Sequence, residues 1–168
     1  MKVISKQTNS KMCIICGLEN KLGVKASFYN MEDNSVGARF MFKEEHQSYP
    51  ERVHGGMISA LLDELAGRAL WATDPELMGV TANMTIKFRK PVPYNTLLLG
   101  RGYITKRSGR IFSAEAKIFD QNKTVLAELT GNYVILPNNQ ITSKENLSEE
   151  VSILVNDNIT EIDFWALK

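Results

Sequence analysis

The residues best suited to chemistry lie in one stretch of the chain, HGGMISALLDELAGRAL. Its two glycines, Gly55 and Gly56, fall where the pattern turns helical, and the first N–H groups of a helix lack intrahelical partners. Such donors, at the positive end of the helix dipole, can stabilise an oxygen on which negative charge develops. Asp63 lies nine residues after His54 and offers a carboxylate as base or nucleophile. The stretch therefore predicts acyl-transfer chemistry.

Helical periodicity divides this stretch into two faces. The larger face is expected to bury against a sheet and consists of Ile58, Leu61, Leu62, Leu65, Ala69 and Ala72. Asp63 lies on the smaller face, in a stripe with Gly56, Ala60 and Gly67. A solvated helical face normally carries Lys, Glu and Gln, so these small residues favour a functional carboxylate over an ordinary surface charge.

The distance along the helix constrains how the two groups can act together. Seven residues rise roughly 10 Å, so Asp63 cannot reach a carbonyl held at the Gly56 N–H of its own helix. If both groups act on one substrate, they must come from different chains. A two-fold dimer would place Asp63 of one subunit opposite Gly56 of the other, twice over.

The hydrophobic pattern around the helix predicts the elements that hold it. Two short strands, 23–29 and 37–42, precede a helix over 56–72, and 43–53 is expected to be a loop. The period then changes from 3.6 to 2 for four strands, 80–88, 97–106, 110–119 and 124–136. This order predicts an α+β fold in which an antiparallel sheet wraps around one long central helix. Glu64 and Arg68, four residues apart, are expected to form a surface ion pair.

Length and charge bound the function classes. With 168 residues and 43% hydrophobic content, the chain fits one folded domain, 1–137, followed by an acidic extension, 138–168. The extension carries a net charge of about −4 and the rest about +5. This balance suits a small anionic ligand and argues against nucleic-acid binding. With no secretory pattern and no membrane span, the expected location is cytoplasmic.

Cys13 and Cys16 form a CxxC pair that leaves three interpretations open. The pair could stabilise a turn, contribute half of a zinc site, or act in redox chemistry. His46 and His54 are the only histidines, and neither completes a recognised metal spacing. No metal site and no cofactor are therefore predicted.

With these motifs in hand, the chain resembles the hotdog-fold thioesterases of the PaaI-like family over residues 12–136. The resemblance rests on HGG, on Asp63 and on two further segments. CIICGLENKLGV is similar to the family leader CxxCGxxNPxGL, with Lys21 in place of proline, and VTANMTIKFRKPVP is similar to the strand after the helix. The resemblance implies hydrolysis of acyl-CoA to free acid and CoA by homodimers, paired into homotetramers, with sites between subunits.

The resemblance also assigns roles to residues around the helix. The Gly56 N–H, with Gly55, would hold the thioester oxygen, and Asp63 of the partner chain would act as general base or nucleophile. His54 would orient the thioester, although it could instead be a structural residue that ties down the helix entry. Thr81 would position water or the carboxylate, but the alternation of its strand places it on the polar face.

Substrate binding is expected from Asn83, Lys87 and Arg89. The two cations could meet the phosphates of coenzyme A, as could further basic residues at strand ends and turns, namely Lys90, Arg101, Arg107 and Arg110. The length of the acyl chain and the carrier, coenzyme A or acyl carrier protein, stay open at this point.

Two other functions compete with hydrolysis. A hydratase or dehydratase acting on acyl thioesters would need a histidine paired with an acidic residue, and His54 beside two glycines fits carbonyl binding better. A non-catalytic acyl-CoA binding or sensing protein would have no use for Asp63 near the scissile carbon. A serine hydrolase is disfavoured because no GxSxG motif is present.

Overall fold

A computed structural model describes residues 1–142 and 147–164. A curved antiparallel sheet wraps around one long helix, as predicted. The elements in chain order are β1 (Val3–Lys6), β2 (Ser27–Met31), β3 (Val36–Phe40), β4 (Gln47–Tyr49), β5 (Arg52–Val53), α1 (Gly55–Gly67), β6 (Met78–Phe88), β7 (Leu98–Ser108), β8 (Ile111–Phe119), β9 (Val125–Leu136), α2 (Asn138–Ile141) and α3 (Leu147–Glu150). Short 3-10 helices cover Glu44–His46 and Arg68–Ala72.

The main sheet has seven strands in the order β1-β2-β3-β7-β8-β9-β6, and every neighbouring pair is antiparallel. The central helix and its six predicted strands are confirmed, with bounds shifted by a few residues. Strand β1 was not predicted because its half-exposed sequence, VISK, lacks an apolar alternation. The loop predicted over 43–53 contains a short hairpin, β4 and β5.

Helix α1 buries Ile58, Leu61, Leu62 and Leu65 of the larger face predicted for it; Ala69 is buried in the turn that follows, whereas Ala72 is only half-buried. Its α-helical part ends at Gly67, and the last turn, Arg68–Ala72, is a 3-10 helix rather than the continuous α-helix predicted. The helix approaches β7 closely at Gly102, where an added Cβ would lie 2.5 Å from the Leu65 carbonyl oxygen. Only glycine therefore fits beneath the helix at that position. None of the described helices is long and apolar enough to cross a membrane.

A β-bulge in β6 decides which side chains face the helix. Thr81 pairs with Tyr133 of β9, but the next paired residues are Asn83 and Asn132, so Ala82 is an extra residue in β6. An inserted residue breaks the simple alternation of faces. Thr81 therefore faces α1, whereas Asn83 faces the opposite side of the sheet.

The two edges of the sheet differ. Beyond β1, residues 153–161 run antiparallel to the first strand through isolated bridges, Lys2 with Glu161 and Asn9 with Ile153. Ile162 and Phe164 then pack on Tyr29 and Met31 in a second apolar cluster. At the other edge, no described residue pairs with the outer side of the eleven-residue β6. One edge is covered and the other is open.

Candidate active site

His54 is the N-cap of α1. Its Nδ1 accepts the Gly56 N–H at 2.9 Å, and its carbonyl oxygen accepts the N–H groups of Met57 and Ile58 at 3.0 and 3.2 Å. The imidazole thus ties down the helix entry, which is the structural alternative considered for it. The predicted donor, the Gly56 N–H, is engaged inside the chain. The Gly55 N–H has no acceptor among residues 1–142 and 147–164, so it is the donor open to an incoming oxygen.

Asp63 lies two turns along α1 and is held by two hydroxyl groups. Its Oδ1 accepts from Thr81 Oγ1 at 2.8 Å and from the Tyr133 hydroxyl at 3.0 Å. Thr81 and Tyr133 are cross-strand neighbours on β6 and β9, so the bulge sets both donors beneath one carboxylate oxygen. No side chain in the described ranges donates to Oδ2. One oxygen of Asp63 is therefore anchored, and the other is free for chemistry.

Tyr133 is a site residue that the sequence analysis missed. Its ring is buried and stacks on Phe112, with ring centroids 5.0 Å apart and planes inclined by 15°. Burial and the adjacent Asp63 carboxylate raise the pKa of Tyr133, so it stays protonated and remains a donor at neutral pH. Its place at an inward position of a strand could have marked it as a hydrogen-bond donor to a buried group, since buried tyrosine hydroxyls usually find a partner. The identity of that partner depends on strand pairing.

A cavity of about 250 Å³ opens beside Asp63. Apolar and polar groups line it together, including Cys13, Gly67, Trp71, Met78, Thr81 and Tyr133. Of the stripe predicted around Asp63, Gly67 also borders this space, whereas Gly56 and Ala60 do not line it. This cavity is hereafter called the Asp63 cavity.

A second cavity, of about 330 Å³, lies at the N-terminus of α1 beside Gly55. Its wall includes Phe88 and three cationic residues, Arg52, Arg89 and Lys90. This cavity is hereafter called the basic cavity. Arg89 is also paired with Glu128 at 2.5 Å. The sequence analysis missed Arg52, since its position relative to the helix depends on the β4–β5 hairpin. No described residue lines both this cavity and the Asp63 cavity.

The remaining predicted binding residues lie away from both cavities. Asn83, on the outer face of the sheet, accepts a hydrogen bond from Asn132 at 3.0 Å. Lys87 is exposed on β6 and lines neither cavity. Arg101 is buried and bonded to Asp33 and Ser35, which leaves it unsuited to phosphate binding.

The CxxC pair lies next to the Asp63 cavity. The sulfur atoms of Cys13 and Cys16 and a carboxylate oxygen of Glu64 are within 4.8 Å of one another. Arg68 pairs with Glu64 at 2.7 Å, but the Arg68 side chain is only 4% exposed, so the surface ion pair predicted from spacing is buried at its arginine end. The Arg68 guanidinium lies over the rings of Phe28 and Trp71, at 4.4 and 4.6 Å.

An antiparallel sheet around a central helix, with a carboxylate in mid-helix and an open N–H at the helix start, defines a hotdog-fold protein. A crystal structure of a thioesterase superfamily protein superposes with a TM-score of 0.67 at 26% identity, covering 73% of this chain and 59% of that one. The E. coli PaaI protein from the phenylacetic acid degradation operon superposes with a TM-score of 0.62 at 16% identity, covering 68% of this chain and 81% of that one. A hypothetical thioesterase of Streptococcus pneumoniae superposes with a TM-score of 0.60 at 19% identity, covering 66% of this chain and 85% of that one.

Sequence comparison finds similarity to thioesterases. The sequence model of the thioesterase superfamily matches residues 51–127, from the β4–β5 hairpin to β9. Acyl-coenzyme A thioesterase THEM4 of Rattus norvegicus is 29% identical over 121 residues, and its Mus musculus counterpart is equally similar. These similarities agree with the thioesterase family that the sequence motifs predicted. It spans about half the length of these curated relatives, 51% of each.

Proposed function

We propose that this chain hydrolyses acyl-CoA thioesters to the free acid and coenzyme A. The observation that carries the proposal is the Asp63 carboxylate, anchored through Oδ1 and open at Oδ2 beside a cavity. The basic cavity at the helix start offers cations to the phosphates of coenzyme A. The names of the curated relatives and the S. pneumoniae neighbour, whose crystal structure contains coenzyme A, agree with this substrate class.

The active unit is a homodimer formed through β6. Long edge strands with unpaired backbone groups pair readily with another chain, and β6 also exposes Met84 and Phe88, at 42% and 55%. Antiparallel pairing of two β6 strands would bring two α1 helices alongside each other, head to tail. Asp63 of one chain then approaches Gly55 and Gly56 of the other, which one chain alone cannot achieve. A homotetramer of two such dimers and a cytoplasmic location stay predictions.

In this arrangement the helix start binds the substrate and the partner's carboxylate activates water. The thioester oxygen accepts from the Gly55 N–H, and from the Gly56 N–H once the His54 imidazole turns aside. Asp63 Oδ2 takes a proton from water as the water oxygen attacks the carbonyl carbon. The C–S bond then breaks and the coenzyme thiolate leaves. Direct attack by Oδ2 on the carbonyl carbon is the second route; it expels the coenzyme thiolate and leaves a mixed anhydride. Hydrolysis of that anhydride at the Asp63 carbonyl carbon would place oxygen-18 from labelled water in Asp63.

A thiol-release assay tests the activity itself. Acyl-CoAs with short, long and aromatic acyl groups are incubated with the protein, and free coenzyme thiol is measured beside binding of the same compounds. We expect thiol release with at least one acyl class. Binding without turnover would identify the non-catalytic alternative, and consumption of an enoyl thioester without thiol release would identify a hydratase.

Replacing Tyr133 by Phe tests the anchor on Asp63. The variant keeps the ring stacked on Phe112 but removes one hydrogen bond to the carboxylate. Hydrogen bonds to charged groups are worth about 1.5–3 kcal/mol, so we expect kcat to fall about 10- to 100-fold with KM little changed. Tyr103→Phe is the matched control, since it removes a 2.6 Å hydrogen bond to Glu115 elsewhere. Equal losses in both variants would contradict the anchoring role.

Substituting Arg52 and Lys90 tests the basic cavity. We expect each alanine variant to raise KM for acyl-CoA by about fivefold, which corresponds to an exposed ion pair of about 1 kcal/mol, with kcat unchanged. The same acyl group on N-acetylcysteamine, which carries no phosphates, should be hydrolysed equally well by wild type and variants. A KM increase of the same size for the uncharged thioester would show that these residues do not bind phosphate.

A further inference from the structure

The CxxC pair is built into a single tight turn. The Gly17 N–H donates to the Cys13 carbonyl oxygen at 2.8 Å, and an added Cβ at position 17 would lie 2.3 Å from that oxygen. The glycine that follows the pair is therefore required for the turn to close. This turn sets the two side chains three residues apart on one side, the spacing at which a disulfide can form.

The two sulfur atoms have different surroundings. Cys13 lines the Asp63 cavity, and its Sγ accepts the backbone N–H groups of Ile15 and Cys16 at 3.3 and 3.4 Å and lies 3.9 Å from Glu64 Oε2. Cys16 is fully buried, and its Sγ lies 3.4 Å from Ser10 Oγ. The Cys16 thiol, donating to Cys13, holds the pKa of Cys13 below its ordinary value, at about 6, despite the nearby Glu64. Cys13 is thus the cysteine of the pair that more readily becomes a thiolate, while Cys16 is shielded from solvent.

A metal ion fits this cluster poorly. Within the described ranges the cluster offers three donors, Cys13, Cys16 and Glu64, whereas a structural zinc takes four. The buried guanidinium of Arg68 already pairs with Glu64 at 2.7 Å and supplies the positive charge that an ion would bring. A thiol that is accessible, with a second thiol behind it, is instead the arrangement of a dithiol that exchanges with disulfides.

We propose that Cys13 and Cys16 form a redox-active dithiol that reacts with small-molecule disulfides at the wall of the Asp63 cavity. The Cys13 thiolate attacks one sulfur of the disulfide, the S–S bond breaks, and one thiolate leaves with the electron pair. Cys16 then gives its proton to the thiolate released in the first step and attacks Cys13 Sγ, which forms the Cys13–Cys16 disulfide and expels the second thiolate. The two cysteines lose two electrons, and the small disulfide gains them. The hydrogen bond with Cys13 and burial raise the pKa of Cys16, and the Arg68 guanidinium partly offsets this rise.

Intact-mass analysis of the chain tests this assignment, because its 168 residues include only these two cysteines. The reduced protein is treated with hydroxyethyl disulfide at neutral pH. We expect the wild type to lose two hydrogen atoms and to keep no adduct. Cys16→Ala should retain one mercaptoethanol adduct on Cys13, and Cys13→Ala should stay unmodified over the same time because Cys16 is buried. Thermal unfolding of both variants verifies that they are folded.

The mass change does not depend on thioesterase activity, so the redox proposal would stand even if the proposed thioesterase function failed. A wild type that stays unmodified, or that keeps a stable adduct, would overturn the proposal. A folded Cys13→Ala variant that reacts as fast as the wild type would overturn it as well, because the attacking sulfur would then be that of Cys16.

Discussion

Replacing Asp63 by Asn is expected to lower kcat/KM for acyl-CoA hydrolysis by about 10²- to 10⁴-fold, the usual effect of losing a general base. Asparagine can still accept hydrogen bonds from Thr81 and Tyr133 through its amide oxygen. The substitution therefore preserves the anchor and removes the group that takes a proton or attacks the carbonyl. Initial rates of thiol release over a range of substrate concentrations measure the loss.

Asp74→Asn is the matched control for this experiment. Asp74 pairs with Arg107 at 2.5 Å, outside both cavities, so its replacement should leave turnover unchanged. Both variants must elute at the wild-type size. If Asp63→Asn retained wild-type turnover while folded, the carboxylate would have no role in the reaction and the proposed mechanism would be wrong.

A mixture of two inactive variants is expected to regain activity if each site is shared between two chains. Asp63→Asn lacks the carboxylate, and Gly56→Val places side-chain atoms at the helix start, where an added Cβ alone would lie 3.0 Å from His54 Nδ1. A dimer with one chain of each kind contains one intact site. Random pairing makes half of the dimers mixed, so we expect roughly a quarter of wild-type activity from two preparations that have almost none.

The control is a double variant that carries both substitutions in one chain, mixed with Asp63→Asn. No pairing of those chains contains Asp63, so activity should stay at background. Subunits are exchanged by joint unfolding and refolding, and mixing is verified with one chain carrying an affinity tag. Absence of any recovery from the first mixture, with mixed dimers present, would mean that Asp63 acts on substrate bound to its own chain.

Helix α1 and its buried face could be predicted because periodicity is a local property of the sequence. Ile58, Leu61 and Leu65 are spaced as one helical face, and the sheet buries them as expected. The order of the strands around the helix followed from the same kind of pattern. Strand β1 escaped prediction because its stability comes from pairing on both sides rather than from its own residues.

The site was harder to predict because its contacts depend on register. Thr81 was chosen from the family resemblance, while alternation alone placed it on the wrong face, since a bulge cannot be seen in the pattern of β6. The same bulge turns Asn83 away from Asp63. Tyr133 is 70 residues from Asp63 in sequence, and only the pairing of β6 with β9 brings the two together. Spacing identified the Glu64–Arg68 pair but not its burial, which the packing of Phe28 and Trp71 produces.

The covering of β1 by residues 153–161 has a consequence for the order of folding. Lys6 and Asp157 form an ion pair across 151 residues of sequence. Contacts of such separation form slowly, because a long loop must close before they contribute. While the chain is being synthesised, β1 can pair with β2 long before its other side is protected. An uncovered strand edge is a template for other chains, so this interval is when the protein is most exposed to aggregation.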